Sequence, residues 1–204
     1  MELGQGMLAI RDSMIEDELE RASLRAASCL ISLSRRAERI LIGERREIQS
    51  WVRRRRTPAP IPPNMVADLK ACELALKKIR RISRHPVPHA RKQVDRLGRL
   101  LDGGEFREFI FSYDSLVGRA SPRRIHRRER LVPAFDICLM PMSGAHFPLV
   151  IYPTGEMEHP PTFLRFAGHG MCWGEAEPLV ETALEEVDIH SLFLIGFTWG
   201  LHNL

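Results

Sequence analysis

Aromatic side chains are scarce in this chain, at 7% of 204 residues, and lysine is scarcer still: only four of the 30 basic residues are lysines. Few aromatics argue against a surface that stacks a series of unpaired bases. Arginine in place of lysine offers planar forks that match phosphate and carboxylate, where lysine offers a point charge. The four cysteines, Cys29, Cys72, Cys138 and Cys172, are far apart and form no CxxC pair, so they are expected to be reduced core thiols. No GxSxG elbow, HExxH helix or phosphate-cradling glycine loop occurs, and Asp102-Gly103-Gly104 lacks the flanking strand of a phosphate loop. Catalysis by these mechanisms is therefore not expected, nor is any cofactor. The opening Met-Glu-Leu-Gly-Gln-Gly lacks the apolar stretch of a secretory signal. The longest apolar run, near Leu192 to Leu201, is about half of what spans a bilayer, so no membrane partner is expected.

What the chain does have is charge sorted by sign. Residues 1–130 carry 29 basic against 17 acidic groups, whereas residues 131–204 carry Arg165 alone against nine acids. Such asymmetry marks the basic part as a site for a polyanion. Ordinary apolar content, 44%, argues against wholesale disorder.

Helical periodicity covers Met7 to Arg56. At about 100° per residue, Arg21, Arg25, Arg35, Arg36, Arg39, Arg46 and Arg53 fall within about 60° of one direction. Leu24, Ala27, Leu30, Ile31, Leu33, Ala37, Leu41, Ile48, Trp51 and Val52 fall roughly opposite. From Arg21 to Arg46 the arginine stripe would run about 38 Å, and Gly43 is a point where the helix is open to a kink. Solvated helix faces usually mix signs; here Glu38, Glu44 and Glu47 lie off the centre of the stripe. The run Arg53-Arg54-Arg55-Arg56 then meets four prolines within residues 58–63, which end any helix. A second helix is expected after an Asn64 cap, with Lys70, Lys77, Arg81 and Arg84 as a second basic row beside the stripe Met65, Leu69, Cys72, Leu76 and Ile79.

The domain plan that follows is a basic helical segment over 1–56, a proline-rich connector over 57–63 and helical hairpins over 64–117, including helices near 90–101 and 105–117. An arginine-rich linker over 118–130 and a small acidic α+β module over 131–204 complete it. In that module, short β-like runs are expected at 135–140, 147–152, 162–166 and 192–197, with one acidic helix over 178–189. The fold class is α+β. About 70 residues is at the low end for independent stability, so the module is expected to lean on the helical part or on a second copy of itself.

Several smaller signals have competing readings. His169 and Cys172 have two-ligand spacing, with Cys138, His146 and His159 nearby, but a closed zinc site needs four convergent ligands, and no metal is expected. Arg53 to Arg56, with Arg123, Arg124, Arg127 and Arg128, have the form of nuclear-import signals, or else of solvated linkers. Trp173-Gly174 and Trp199-Gly200 in acidic surroundings resemble the hooks by which some proteins engage Argonaute; the alternative is a core tryptophan beside a turn glycine. The acidic module is also expected to dock on the basic helices when no polyanion is bound.

An arginine-striped helix, a tetra-arginine run and a basic proline-containing linker without a catalytic motif resemble the small RNA-silencing suppressors of plant viruses, of the cucumovirus and ilarvirus type. The resemblance covers about residues 22–130. It implies a non-enzymatic protein that self-associates as a homodimer, binds short duplex RNA, divides between host nucleus and cytoplasm, and in some cases engages Argonaute. The competing expectation is an interaction protein whose C-terminal module binds a protein partner while the arginines serve localisation.

Overall fold

The computed structural model describes residues 8–10, 16–54, 61–112, 115–125, 130–141, 148–153 and 173–203. It is α+β, as the patterning implies. Strand β1 (Leu8–Ile10) precedes α1 (Glu16–Arg54), which is followed by α2 (Pro63–Arg84) and α3 (Pro86–Asp102). Strands β2 (Phe106–Phe111), β3 (Leu116–Ala120), β4 (Arg123–Ile125), β5 (Arg130–Val132), β6 (Phe135–Leu139) and β7 (Leu149–Pro153) come next. Helices α4 (Glu177–Glu185) and α5 (Ile189–Asn203) close the chain.

Helix α1, 39 residues and about 58 Å long, is the spine. Ala22, Ala26, Ala27, Leu30, Leu33, Ala37 and Leu41 are buried on one side of it, and it packs against α2, α3 and α4. The helix runs through Gly43 without a break. Two expected core residues stay outside: Leu24 and Trp51 are 53% and 41% exposed. Helix α2 starts one residue before the expected cap. Pro62 caps it and Pro63 opens it, since proline's fixed φ suits the first helical position and its missing N–H is no loss there.

The expected helix over 105–117 does not form. Strands β2 and β3 occupy it, and they pair antiparallel with β1 and β6 in a five-stranded sheet of order β1-β2-β3-β6-β7. The expected linker over 118–130 is also partly strand: β3 ends at Ala120, and β4 pairs β5 as a ribbon. A boundary at 130/131 therefore cuts through the sheet, whose first three strands come from the basic part. The runs at 135–140 and 147–152 are strands, as expected, while of the single helix expected over 178–189 only the part up to Glu185 forms α4, and Ile189 already opens α5. The run at 192–197 is not a strand but the middle of α5. The expected strand at 162–166 lies outside the described residues.

Helix α5 covers the apolar sheet face. Its residues Ile189, Leu192, Phe193, Gly196, Phe197 and Gly200 are buried, a helical spacing of three and four. Phe193 and Phe197 meet Phe106 at ring distances of 6.0 and 5.4 Å. Close approach requires two glycines here. A Cβ on Gly118 would stand 2.7–2.9 Å from three phenylalanine rings, and one on Gly200 2.6 Å from Phe135. The buried side chains form one cluster from α1 through the sheet to α5.

Candidate nucleic-acid interface

The amphipathic pattern of α1 places its arginines away from the core, and the structure sorts them into two kinds. Arg21, Arg35, Arg39, Arg46 and Arg53 are exposed. Arg25 and Arg36 are half-buried: an Arg25 Nη1 donates to the carbonyl of Phe111 at 3.3 Å, while burial, with the neighbouring charge of Arg39, lowers the pKa of Arg36. These two serve the fold rather than a free binding face.

On α2, Lys70, Lys77, Arg81 and Arg84 are all exposed. Three of them, Lys77, Arg81 and Arg84, line a groove of about 650 Å³ together with Arg45 of α1, Arg80, Glu73, Leu76 and His85. Arg45, Arg80 and His85 were not among the expected site residues. Arg45 lies off the stripe, toward α2, and becomes part of a basic wall only because the two helices pack together. Arg80 ties the helices, its Nε donating to Glu38 at 2.8 Å. No Phe, Tyr or Trp lines this groove, so its chemistry is charge and N–H donation rather than stacking.

The acids lie elsewhere. A second groove of about 660 Å³, between α1, α2 and α4, gathers Glu44, Glu47, Asp68, Glu185 and Glu186 around Leu41, Cys72 and Ala75, with Lys78 as its basic residue. Burial, then Glu44, Glu181 and Glu186, raise the pKa of Glu185. Helix α4 thus sets its acids against other acids in this groove, while the C-terminal helices as a whole do pack on the basic helical part, α4 on α1 and α5 on α3. Lys78 and Glu186, 3.9 Å apart, make an exposed contact there.

The structure places both Trp-Gly pairs against the fold, Trp173 buried and Trp199 half-buried. Trp173 is 1% exposed and packs edge-on against Trp199 at 5.6 Å, so it cannot enter a partner's pocket without leaving the core. Gly174 takes φ +54 at the start of a short 3-10 turn, and Gly200 is buried against Phe135. In the arginine clusters, Arg54 donates to Ser50. Arg123 sits 5.7 Å over the Phe197 ring and 3.9 Å from Glu105, while Arg124 is exposed. Arg55, Arg56, Arg127 and Arg128 lie outside the described residues.

Cys29 and Cys72 are buried and Cys138 is half-buried, and none of the three is in a disulfide. Burial, with the nearby Cys138, pushes Cys29 up to about 12, which keeps it an unreactive thiol. Among the described residues no three His, Cys, Asp or Glu side chains gather as a metal group; His146, His159, His169 and Cys172 lie outside them. Among the described residues no helix is long and apolar enough to cross a membrane.

A polar network joins α3 to the start of α5. Arg96 donates to both carboxylate oxygens of Asp188, at 3.0 and 2.9 Å, and meets Nδ1 of His190 at 2.9 Å. The backbone N–H of His190 donates to Gln93 at 3.1 Å, and Asp188 also accepts from Ser191. These contacts fix α5, and through it the sheet, to the helical layer. Searches among protein families, curated proteins and solved structures find no match to this chain.

Proposed function

We propose that this protein binds short duplex RNA without acting on it chemically, holding the phosphate backbone with the exposed arginines of α1 and the basic groove between α1 and α2. The observation that carries this is the separation of charge. Arg45, Lys77, Arg80, Arg81 and Arg84 meet at one groove with Glu73 as its single lining acid, while five acids collect in another. Regular cationic rows without base-reading or stacking groups suit the uniform backbone of a duplex. By its resemblance to plant-virus silencing suppressors, the protein would withhold short duplexes from the silencing machinery, in the nucleus and cytoplasm of a host cell.

The test is binding of the full chain to a short RNA duplex at low salt, beside the variant R35E/R39E/R46E. Those three side chains are exposed, so the variant should keep its helicity and lose binding. Absence of binding by the parent protein, or full binding by the variant, would refute the proposal. Arg36 is left unchanged because it is half-buried, and a glutamate there would test folding instead.

A further inference from the structure

The groove between α1 and α2 holds more positive charge than one internal backbone phosphate requires. Five cations and one carboxylate, Glu73, surround it, and Glu38 is engaged with Arg80. Three positive charges are left unbalanced around one opening. Crowded like charge opposes the compact state unless an anion balances it.

The helix dipole explains part of this crowding. Arg81 and Arg84 stand in the last turn of α2, where the partial negative charge of the terminal carbonyls favours cations. It does not explain Arg45. That residue comes from the interior of another helix, and its Nε is shielded from solvent with no hydrogen-bond partner. Arg45 lines the groove beside the cations of α2, and a bound anion would balance the charge they share.

Charge then selects among phosphates. An internal phosphodiester carries one negative charge, whereas a phosphate monoester carries about −1.5 to −2 at pH 7 and three acceptor oxygens. Guanidinium forks match pairs of these oxygens, and Lys77 supplies a movable point charge. No aromatic floor is present to hold a base.

We infer that the α1–α2 groove is a pocket for the terminal phosphate monoester of an RNA strand, with Arg45 donating from α1 and Lys77, Arg81 and Arg84 clamping from α2. This rests on the RNA reading above. The exposed Arg39 and Arg35 lie about 9 and 15 Å from Arg45 along the helix and continue from the anchored end along the backbone.

The experiment compares fluorescence anisotropy titrations of the full chain with two short duplexes of one sequence, bearing 5′-phosphate or 5′-hydroxyl ends. The phosphorylated duplex should bind at least about tenfold more tightly, a difference of about 1.4 kcal/mol. In R45M, and separately in K77Q/R84Q, the two duplexes should bind alike, with helicity unchanged. R45M keeps the aliphatic stem and removes a donor that has no partner, so it should melt no lower than the parent.

Equal affinity of the parent for both duplexes overturns the pocket and leaves RNA binding standing. Binding to neither overturns both. A preference that persists in both variants places recognition of the end elsewhere and also overturns the assignment. Adenosine 5′-monophosphate alone should bind far more weakly than the phosphorylated duplex, since it lacks the phosphates that reach Arg35 and Arg39. Affinity equal to the duplex would make the groove a free-nucleotide site instead.

Discussion

Salt dependence gives the proposed interface a number that can be worked out from exposure. Six cations on α1 and α2 are exposed and lie along the proposed face: Arg35, Arg39, Arg46, Lys77, Arg81 and Arg84. If each neutralises one phosphate, counterion release predicts a slope of log K against log salt of about −5, taking about −0.9 per contact. Between 50 and 200 mM salt, affinity should then fall by about three orders of magnitude. Replacing Lys77 and Arg81 by glutamine should make the slope shallower by about 2, whereas replacing Arg107 and Arg124, exposed on the strands, should leave it unchanged. Anisotropy titrations of one duplex at four or five salt concentrations measure all three slopes. Equal shallowing by both pairs would mean that diffuse charge binds RNA and that no particular face does. A slope near zero in the parent protein would remove the electrostatic mechanism altogether.

Other consequences concern the scaffold. Gly43→Ala and Gly98→Ala should each stabilise the protein by about 0.5–1 kcal/mol, because an added methyl at either helical position meets nothing within 4 Å; denaturant midpoints that fail to rise would show that these helices need the glycines. Gly200→Ala should destabilise by about 1–3 kcal/mol, since its Cβ would stand 2.6 Å from Phe135, and an unchanged melting temperature would refute the close α5–sheet contact. Burial, then Arg96, depress His190, and burial depresses His89. Their unfolded pKa of about 6.5 exceeds the folded value, so the stability they contribute is full above about 6.5 and is lost as pH falls through the lower folded values. Thermal melts from pH 8 to pH 5 should show this decline, and it should be smaller in His190→Asn; an identical pH profile in that variant would refute the role of His190. Asp188 is held low chiefly by hydrogen bonds from Arg96 and Ser191, which outweigh its burial. Its contribution is full above about 3.9 and is lost as pH falls through its folded value.

Local order was legible where one period extended over many residues. The helical periodicity read over residues 7–56 set an alanine and leucine side against an arginine side, and burial follows it at Leu30, Leu33, Ala37 and Leu41, although residues 8–10 form β1 instead of helix. It failed at Leu24 and Trp51, which stay 53% and 41% exposed. The phenylalanine-rich stretch over 106–111 was harder, because a short apolar run satisfies strand and helix alike. Its pairing with β1 and β3 settles the matter. The same ambiguity hid α5, whose buried spacing of three and four is blurred by Leu194 and Ile195 between the buried positions.

The sequence by itself determined the α+β class, the polarity of the α1 and α2 faces and the sorting of charge between the two ends of the chain, since these depend on composition and on periods within single elements. Only the tertiary structure decided that one sheet joins the basic and acidic parts, that Trp173 is core, and that Arg45 stands with Lys77, Arg81 and Arg84 around one groove. Each of these depends on which elements pack together. Arg45 and Arg84 are 39 residues apart along the chain, and no local period can signal that packing two helices will place them around one groove.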